Sequence, residues 1–443
     1  MNLLWIVIDC LRADRLAAYA PPGRHRRRTT PHLDRFAASA VRLLDLVSPH
    51  IPTHPAHTTL FSGQDVFAHQ IVAQSGRAEP PPSVRLLPEL LREAGYFTGA
   101  VDNIGRWIER AFERYEAYPR WNHDGSLPWR NGEEVTARAI GLLDEAVAAR
   151  RPFFLFLHYW DPHTPYLPPP PFHRIFYEGD ECDPAHRRME PVWRSEWFAR
   201  YFAEWIEGVT DIEFVKAQYD ASVAYGDTCI ARVFQALTDR HLWDETLVVV
   251  GADHGEELDE HGCWFDHHGL YETNVHVPLL IRFPDERWAG RSVAGLCSAV
   301  DVAPTLLAAV GMEGLAAGMQ GRNLLPHLAA GRIPDAEGIY LTECTWMRKR
   351  GWRTPRWKLI RALEPDFYGK PPVELYDLAR DPGEQLNLAP AQPEVVAALT
   401  AVMEAHVSRR LAETGLPDPS VAQAEMLRIF QERFRAARRH LPR

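Results

Sequence analysis

Short apolar runs alternate with amphipathic segments along residues 1–255. The runs LLWIVID, YFTGAVD, PFFLFLHYW and TLVVVGADHG have the length and apolar content of buried β-strands. The segments between them, such as LDRFAASAVRLL and GEEVTARAIGLLDEAVAAR, repeat their apolar residues at the spacing of one helix face. This alternation predicts an α/β fold with a doubly wound, mainly parallel central sheet.

The pattern changes near residue 335. There IYLTECTW, RWKLIRAL and VELYDL indicate antiparallel strands, and PEVVAALTAVMEAHVSRRLAE indicates a helix. We therefore predict a catalytic α/β domain over residues 1–334 and a smaller C-terminal α+β subdomain over residues 335–443. The last segment, VAQAEMLRIFQERFRAARRHL, has the pattern of a basic amphipathic helix. Such a helix packs either on the body of the protein or on a second subunit. A homo-oligomer formed through this helix is therefore one of two alternatives.

An irregular, proline-rich stretch interrupts the alternation at about residues 166–215 and predicts an insertion or lid. Aromatic side chains are dense in it, and they either wall the leaving-group side of a bound ester or pack the lid itself. These aromatic residues are Phe172, Phe176, Tyr177, Trp193, Trp197 and Trp205.

Composition narrows the class of protein. The chain has 443 residues, of which 46% are hydrophobic and 24% charged, which are ordinary values for a folded globular protein. Its net charge of −10 disfavours general nucleic-acid binding. The apolar start has no basic segment before it, and no apolar window is long enough to span a bilayer, so we expect no membrane partner. Six scattered cysteines without a CxxC pair favour free thiols and a cytoplasmic protein.

The ends of the predicted strands carry candidate metal ligands. Asp9 directly follows LLWIVI, and Asp253 and His254 follow TLVVVGA. Ligands of such sheets bind beyond the carboxyl ends of the strands, where a buried carboxylate needs a cation or hydrogen-bond donors. Carboxylate oxygen and imidazole nitrogen together suit zinc and similar divalent ions. On these residues alone, a helix-capping Asp9 and a loop role for the Asp-His pair stay open.

A third candidate lies in SPHIPTHPAHTTLFSG, at residues 48–63. Thr53 and Pro55 mark the start of a helix that ends near Gly63. A hydroxyl at a helix N-terminus is close to free amides that favour an alkoxide and a neighbouring anion, although a threonine N-cap has the same pattern. We expect His57, one turn later, to orient the anion, and His50 and His54 to be loop residues.

These motifs together resemble the sulfatase-like branch of the alkaline-phosphatase superfamily. The resemblance extends almost over the whole chain, through IDCLRADRLAAY, THPAH with TTLFSG, HYWDPHTPY, GADHGEELDEHG, HHGLYETNVHVPLLIRFP, VDVAPTLLAAVG and ELYDLARDPGEQLNLA. It implies that Thr53 is the nucleophile and a metal ligand, and that Asp9, Asp253 and His254 complete the metal site. The implied cofactor is a divalent metal ion, with Zn²⁺ expected before Mn²⁺ or Ca²⁺ and one ion expected before two.

The chain departs from the family pattern in three places. Sulfatases have Cys or Ser in a Cys/Ser-x-Pro-x-Arg motif, whereas this chain has Thr53-x-Pro-x-His57, which resembles nucleotide pyrophosphatases and phosphodiesterases. Cys10 replaces a second metal-binding acid, and packing is the favoured role over a soft ligand. His267 lies at about the place of a family lysine that neutralises the transferred group, and either His267 or His163 is expected to help the leaving group depart.

Further residues have roles that the resemblance implies or that their sequence positions suggest. His163 matches a histidine that contacts the substrate or protonates the leaving group. Asp161, His163 and His268 would form a second metal site, if there is one. We also expect Asn103, Arg106 and Trp160 to bind the substrate.

The predicted activity is metal-dependent hydrolysis of a small-molecule phosphate ester through a phosphothreonine on Thr53. The ester is a phosphodiester, a phosphonate monoester or a phosphomonoester. Alternatives are a sulfatase that uses unmodified threonine on a sulfate ester, a phosphoryl-group transferase, and a non-catalytic protein that binds metal and anion.

Overall fold

Two β-sheets organise the computed structural model, which describes residues 1–20, 27–74, 79–118 and 131–438. No helix within these residues combines the length and the apolarity that a membrane span requires. The strands are β1 (Asn2–Ile8), β2 (Val41–Leu43), β3 (Leu46–Val47), β4 (His50–Ile51), β5 (Phe97–Asp102), β6 (Arg114–Ala117), β7 (Phe153–Tyr159), β8 (Thr246–Ala252), β9 (Leu279–Arg282), β10 (Ser292–Val293), β11 (Cys297–Ser298), β12 (Ile339–Glu343), β13 (Lys349–Arg353), β14 (Trp357–Ala362) and β15 (Val373–Asp377).

The helices follow the strands in the order that the sequence predicts. They are α1 (Pro31–Ala38), α2 (Thr53–Ser62), α3 (Val66–His69), α4 (Leu87–Glu93), α5 (Asn131–Ala148), α6 (Glu190–Arg194), α7 (Glu196–Ile206), α8 (Ile212–Asp239), α9 (Glu272–Val275), α10 (Val302–Ala309), α11 (Leu325–Ala330), α12 (Pro393–Thr414), α13 (Pro419–Ala422) and α14 (Ala424–Arg438).

The large sheet has the order β10-β2-β9-β8-β1-β7-β5-β6. Every neighbouring pair is parallel except the two that involve β9. Helices cover both faces, because alternate residues of a strand point to opposite sides. Leu4 lines a small apolar cavity together with Leu143 of α5 and Leu237 of α8, whereas Trp5 packs edge-on against Phe61 of α2. The predicted doubly wound, mainly parallel α/β fold is confirmed.

The second sheet has the order β15-β14-β13-β12-β4, and it is antiparallel except for the pair β12–β4. The two-residue strand β4 comes from the N-terminal part of the chain, so the sheet joins the two predicted domains. His50 therefore lies in a strand rather than in a loop, and its Nδ1 is 2.9 Å from Thr342 Oγ1. His54 lies in α2, so the predicted loop position is wrong for both histidines.

The predicted insertion contains α6 and α7, and its aromatic side chains pack within the insertion and against α8. Phe172 contacts Tyr225, and Trp205 contacts Tyr166, with ring centroids 5.5 and 5.4 Å apart. Trp193 Nε1 donates to the Val209 carbonyl at 2.6 Å. These contacts show the packing role of the insertion.

The C-terminal helix α14 packs on its own chain. Leu427 is buried, and Gln431 Nε2 donates to the Thr345 carbonyl at 3.0 Å. A homo-oligomer through this helix stays a prediction.

Candidate active site

Four neighbouring strands of the large sheet bring polar residues together at their carboxyl ends. Ile8 at the end of β1 is paired with Ala252 of β8 and with Tyr159 of β7, so the residues that follow these strands are neighbours. Asp9 follows β1 and Asp253 follows β8, and neither carboxylate is exposed to solvent. The sheet thus places two buried carboxylates side by side, as the strand-end pattern predicts.

Thr53 approaches these carboxylates from the N-terminus of α2. Its Oγ1 lies 3.2 Å from His254 Nε2. Oγ1 is therefore held where the helix dipole and the free amides of the first turn favour negative charge. His254 Nδ1 is 3.0 Å from the Gly255 carbonyl, to which it donates. This bond leaves a lone pair on His254 Nε2, on the side of Thr53.

Donor atoms of this group lie around His254 Nε2 at the spacing of ligands that share one ion. His254 Nε2 is 3.5 Å from Asp9 Oδ1 and 3.4 Å from Asp253 Oδ2. Donors around a tetrahedral ion with bonds of about 2.0–2.1 Å lie about 3.3 Å apart. Asp253 Oδ2 is buried and has no hydrogen-bond partner within the described part of the chain. Asp9, Thr53, Asp253 and His254 therefore fit a divalent cation.

Histidine charges stabilise the ionised form of Asp9. Burial raises its pKa, but the contact with His158 and the charges of His163 and His254 outweigh burial and hold the pKa well below its usual range. Conversely, burial lowers the pKa of His158, but the hydrogen bond to Asp102 and the charges of Asp102 and Asp9 raise it to about 10. With no ion bound, this protonated imidazole is a positive charge beside the carboxylates.

His57 lies one turn after Thr53 and faces the same carboxylates. Its Nε2 is 3.3 Å from Asp253 Oδ2, and its ring centroid is 4.7 Å from that of His158. The side chain is fully buried. His57 therefore contacts the candidate metal site directly, whereas its predicted contact with the anion stays a prediction.

His163 and His267 form one wall beside the metal site. Their ring centroids are 4.8 Å apart, and His267 is 4.9 Å from His254. His163 stacks on Trp160 at 4.0 Å, and its Nδ1 donates to the Thr164 carbonyl at 2.6 Å. Burial, together with the charges of His163 and other histidines, lowers the pKa of His267 well below its ordinary value. His267 therefore carries no charge near neutral pH, unlike a lysine.

Cys10 lies between Asp9 and the wall formed by His163 and His267. Its Sγ donates to Asp9 Oδ1 at 3.1 Å and lies 3.7 Å from His267 Nδ1. Burial and the charges of Glu256 and Asp9 raise the pKa of the thiol well above its ordinary value. A protonated thiol is a poor ligand, so the hydrogen bond to Asp9 is its role while no ion is bound.

The structure does not bring the predicted second metal set together. Asp161 Oδ2 accepts a hydrogen bond from the Gly132 amide of α5 at 3.0 Å. His268 instead contacts Glu343 Oε1 at 3.1 Å and Asp266 Oδ1 at 3.3 Å. In the described ranges, the side-chain groups close enough to share an ion do not include Asp161, and none contains both His163 and His268. Asp161 instead binds the first turn of a helix.

The three predicted substrate-binding residues occupy different environments. Trp160 reaches the site through its stack on His163. Asn103 is buried directly after β5, two strands away from β1. Arg106 lies on the exposed surface with its guanidinium 5.9 Å from the Trp107 ring. Substrate contact by all three stays a prediction.

Comparison with known proteins agrees with this arrangement. The profile of the sulfatase family matches residues 1–312, and a profile described as N-sulphoglucosamine sulphohydrolase, C-terminal, matches residues 259–410. The chain belongs to the sulfatase family. The resemblance to the sulfatase-like branch of the alkaline-phosphatase superfamily is thereby confirmed, and this family generally uses a divalent metal ion.

Two relatives and one solved structure illustrate the range of this sulfatase family. The chain is 26% identical over 407 residues to the multifunctional alkaline phosphatase superfamily protein PehA of Trinickia caryophylli, which covers 75% of this chain and 78% of that protein. It is 25% identical over 447 residues to the N-acetylglucosamine-6-O-sulfatase of Bacteroides thetaiotaomicron, with coverages of 81% and 78%. The phosphonate monoester hydrolase of Agrobacterium radiobacter has the same fold, with a TM-score of 0.70, 22% identity and coverages of 95% and 97%.

Sequence analysis missed two residues of this sulfatase-family site, His158 and Asp102. His158 Nδ1 donates to Asp102 Oδ1 at 2.7 Å, and both side chains are fully buried at strand ends. The signal was the presence of a histidine and an aspartate at the ends of the apolar runs FFLFLH and FTGAVD. The strand-end rule that selects Asp9 selects these two residues as well.

Replacing Asp161 by asparagine is expected to change how stability depends on pH. Burial raises the pKa of Asp161 from 3.8 to about 7. The folded protein therefore retains a proton that the unfolded chain loses, so the wild type loses stability as pH rises from about 4 through about 7. Asparagine can still accept from Gly132. The stability advantage of the variant should grow by about 2 kcal/mol between about pH 5 and pH 8, measured by urea unfolding.

The exposed Asp239 provides the control for this measurement. Asp239→Asn should show the same difference from the wild type at both pH values. A pH-independent difference for Asp161→Asn would show that the carboxyl group ionises normally in the folded protein.

Proposed function

We propose that this protein hydrolyses phosphorus esters that carry one negative charge, namely phosphonate monoesters and phosphodiesters, through a covalent ester on Thr53. The observation that carries the proposal is the position of Thr53 Oγ1, 3.2 Å from His254 Nε2 at the start of α2. A hydroxyl at a helix N-terminus beside a divalent-cation site is an activated nucleophile.

The identity of residue 53 favours direct attack. Cysteine or serine at this position in sulfatases is oxidised to formylglycine, and threonine cannot undergo that conversion. The hydroxyl itself must therefore attack, which resembles the chemistry of the phosphodiesterase relatives with the same Thr-x-Pro-x-His pattern.

The charge of the site favours a singly charged ester. Asp9 and Asp253 balance one divalent ion, and two positions that carry Arg and Lys in the family are His57 and His267 here. The low pKa of His267 removes a further positive charge near neutral pH. A doubly charged phosphate monoester has less compensating charge at such a site than a diester or a phosphonate monoester.

Each residue has a defined part in the first half-reaction. When bound, a divalent cation would lower the pKa of the Thr53 hydroxyl and offset charge on a non-bridging oxygen. Thr53 Oγ1, whose proton has passed to solvent, forms the bond to phosphorus while the bond from phosphorus to the leaving oxygen breaks. His163 donates its Nε2 proton to that oxygen, since Nδ1 is held by the Thr164 carbonyl.

The second half-reaction restores the protein. His163, now neutral at Nε2, accepts a proton from water, whose oxygen attacks phosphorus. The bond to Thr53 breaks, and the threonine oxygen leaves as the alkoxide that began the cycle. The product is the free phosphonate or phosphate monoester.

A sulfate ester is the second candidate substrate. Two sulfatase-type profiles together match residues 1–410, and a relative that is 25% identical is an N-acetylglucosamine-6-O-sulfatase. The attack would then place the sulfuryl group on Thr53.

A panel of matched aryl esters tests which group is transferred. The panel contains a phosphonate monoester, a phosphodiester, a phosphate monoester and a sulfate ester of one phenol. Each is assayed after chelation and after adding back Zn²⁺, Mn²⁺ or Ca²⁺ separately. We expect kcat/KM for the phosphonate monoester or the phosphodiester to exceed that for the sulfate by at least about 10-fold. A sulfate that reacts faster than every phosphorus ester would reverse the assignment.

The donor set supports Zn²⁺ or Mn²⁺ over Ca²⁺ as the ion. The site offers imidazole nitrogen from His254 besides two carboxylates, whereas Ca²⁺ prefers oxygen ligands.

The six cysteines are all unpaired, which supports the predicted cytoplasmic location.

Trp160→Ala is expected to weaken substrate binding and proton transfer together. The indole supports the imidazole of His163 through a stack at 4.0 Å, so its loss frees the ring to rotate. We expect KM to rise about 10-fold and kcat to fall about 10-fold. Steady-state kinetics measure both, and Trp160→Phe, which keeps an aromatic face, should retain most of the activity. Unchanged kinetics in Trp160→Ala would exclude this supporting role.

A further inference from the structure

A second group of buried donors borders the carboxylates of Asp9 and Asp253. His158 Nε2 lies 3.3 Å from Asp9 Oδ2, and His57 Nε2 lies 3.3 Å from Asp253 Oδ2. One ligand atom each from His57, His158 and Asp253 lie within 4.8 Å of one another. These side chains have no solvent exposure, so water cannot satisfy them freely.

The facing atoms are not joined by hydrogen bonds. His57 Nε2, His158 Nε2, Asp9 Oδ2 and Asp253 Oδ2 are all buried without a hydrogen-bond partner among residues 1–20, 27–74, 79–118 and 131–438. Buried polar atoms in a stable protein are nearly always satisfied. His57, His158 and Asp253 are close enough to share a ligand, and Asp9 Oδ2 lies 3.3 Å from His158 Nε2, so these unsatisfied atoms indicate a bound cation.

The surroundings of His158 are those of a metal-binding histidine. Its Nδ1 donates to Asp102 Oδ1 at 2.7 Å, and Asp102 Oδ2 accepts from the Tyr115 hydroxyl at 2.7 Å. Such a carboxylate fixes the tautomer, so that the lone pair is on Nε2 and points at the metal. A cation between His158 Nε2 and Asp9 Oδ2 would take the place of the proton that this imidazole carries in the metal-free protein.

We propose that His57 and His158, together with Asp253 and Asp9, bind a second cation beside the one bordered by Thr53 and His254. Separations of 3.3 Å match donors around a tetrahedral ion with bonds of about 2.0–2.1 Å. Asp9 faces the two positions with different oxygens, Oδ1 near His254 and Oδ2 near His158, whereas Asp253 Oδ2 lies near both His254 and His57. Two imidazoles select a first-row transition metal or zinc over Ca²⁺ and Mg²⁺.

This second position differs from the one predicted from Asp161, His163 and His268. The first ion is part of the proposed function, whereas the second ion is inferred from the geometry of His57, His158 and the two carboxylates. Its consequence is electrostatic. His57 occupies the place of a family arginine, and a divalent ion held by His57 would restore positive charge near the N-terminus of α2, so the preference for a singly charged ester argued above applies to the protein with the first ion alone.

Metal content tests the inference without any measurement of activity. The full chain is stripped with a chelator, dialysed against Zn²⁺ and freed of loose metal, and the zinc per chain is then measured by mass spectrometry. We expect two ions in the wild type and one in the His57→Gln, His158→Asn double variant. The matched control is His69→Gln, because His69 is also fully buried but bonds Thr59 Oγ1 outside the site. The control should retain two ions.

A second experiment does not depend on folding of the double variant: the wild type is crystallised with Zn²⁺ and its metal positions are located. Anomalous scattering should give two peaks, one beside Thr53 and His254 and one beside His57 and His158. A single ion per wild-type chain, or two ions retained in the double variant, overturns the inference. The ester panel above can fail without changing the ion count, so the two proposals are tested separately.

Discussion

Thr53→Ala is expected to turn over its best aryl ester at least about 10⁴-fold more slowly than the wild type, because the nucleophile is lost while the rest of the site stays in place. The loss should appear in kcat, since Thr53 supplies the attacking atom. Asp9, Asp253 and His254 remain to hold the cation, so metal content should stay close to that of the wild type. Steady-state kinetics at saturating metal, with metal analysis of the same sample, give both values.

Thr53→Ser is the matched control for this substitution. It keeps a hydroxyl at the start of α2 and should retain activity within about 10-fold to 100-fold of the wild type. Rapid quenching during turnover, followed by intact-mass analysis, should show the transferred group on the wild type and on the serine variant only. If the alanine variant is as active as the wild type, water attacks directly and the covalent route is wrong.

Asp9→Asn is expected to have the second-largest effect, a fall of about 10³-fold in kcat/KM together with loss of tightly bound metal. The substitution removes one of two negative charges that face His254 and His158. An amide oxygen is a weaker ligand than a carboxylate, and the carboxylate–imidazole attraction in the metal-free protein is lost as well. Metal titration by calorimetry and kinetics after metal add-back measure the two losses.

Asp161→Asn is a close control, since Asp161 is also a buried aspartate beyond a strand of the same sheet. Its carboxylate accepts from Gly132 rather than facing the metal site, so metal affinity should not change. Adding metal after chelation should restore the wild type and Asp161→Asn but not Asp9→Asn. Wild-type metal affinity in Asp9→Asn would remove Asp9 from the metal site.

The candidate ligands at the strand ends were predictable because their positions depend only on the neighbouring sequence. A polar residue directly after a buried apolar run must lie at the edge of the sheet, and β1 and β8 are adjacent, so Asp9, Asp253 and His254 meet there. Thr53 was predictable from its helix-start pattern and from the family resemblance.

The direction in which buried side chains point could not be predicted from the sequence. Strand β7 is buried on both faces, so FFLFLHY has no polar alternation that would show which way His158 points. Asp161 lies only two residues from His163, yet the amide of Gly132 orients its carboxylate away from that ring. The strand β4 is two residues long, below the length at which a periodic pattern can be recognised.

Strand β4 has a mechanical consequence for the nucleophile. Ile51 is paired with Glu343 of β12, and Thr53 follows only two residues later, so the attacking oxygen is anchored to the C-terminal sheet as well as to α2. Glu343 also contacts His268 at 3.1 Å. Sliding of one sheet against the other by a fraction of an ångström would therefore change the angle of attack. In the proposed mechanism, residues 339–377 would help to fix the direction of attack, so substitutions in this sheet should slow catalysis even when every candidate metal ligand is intact.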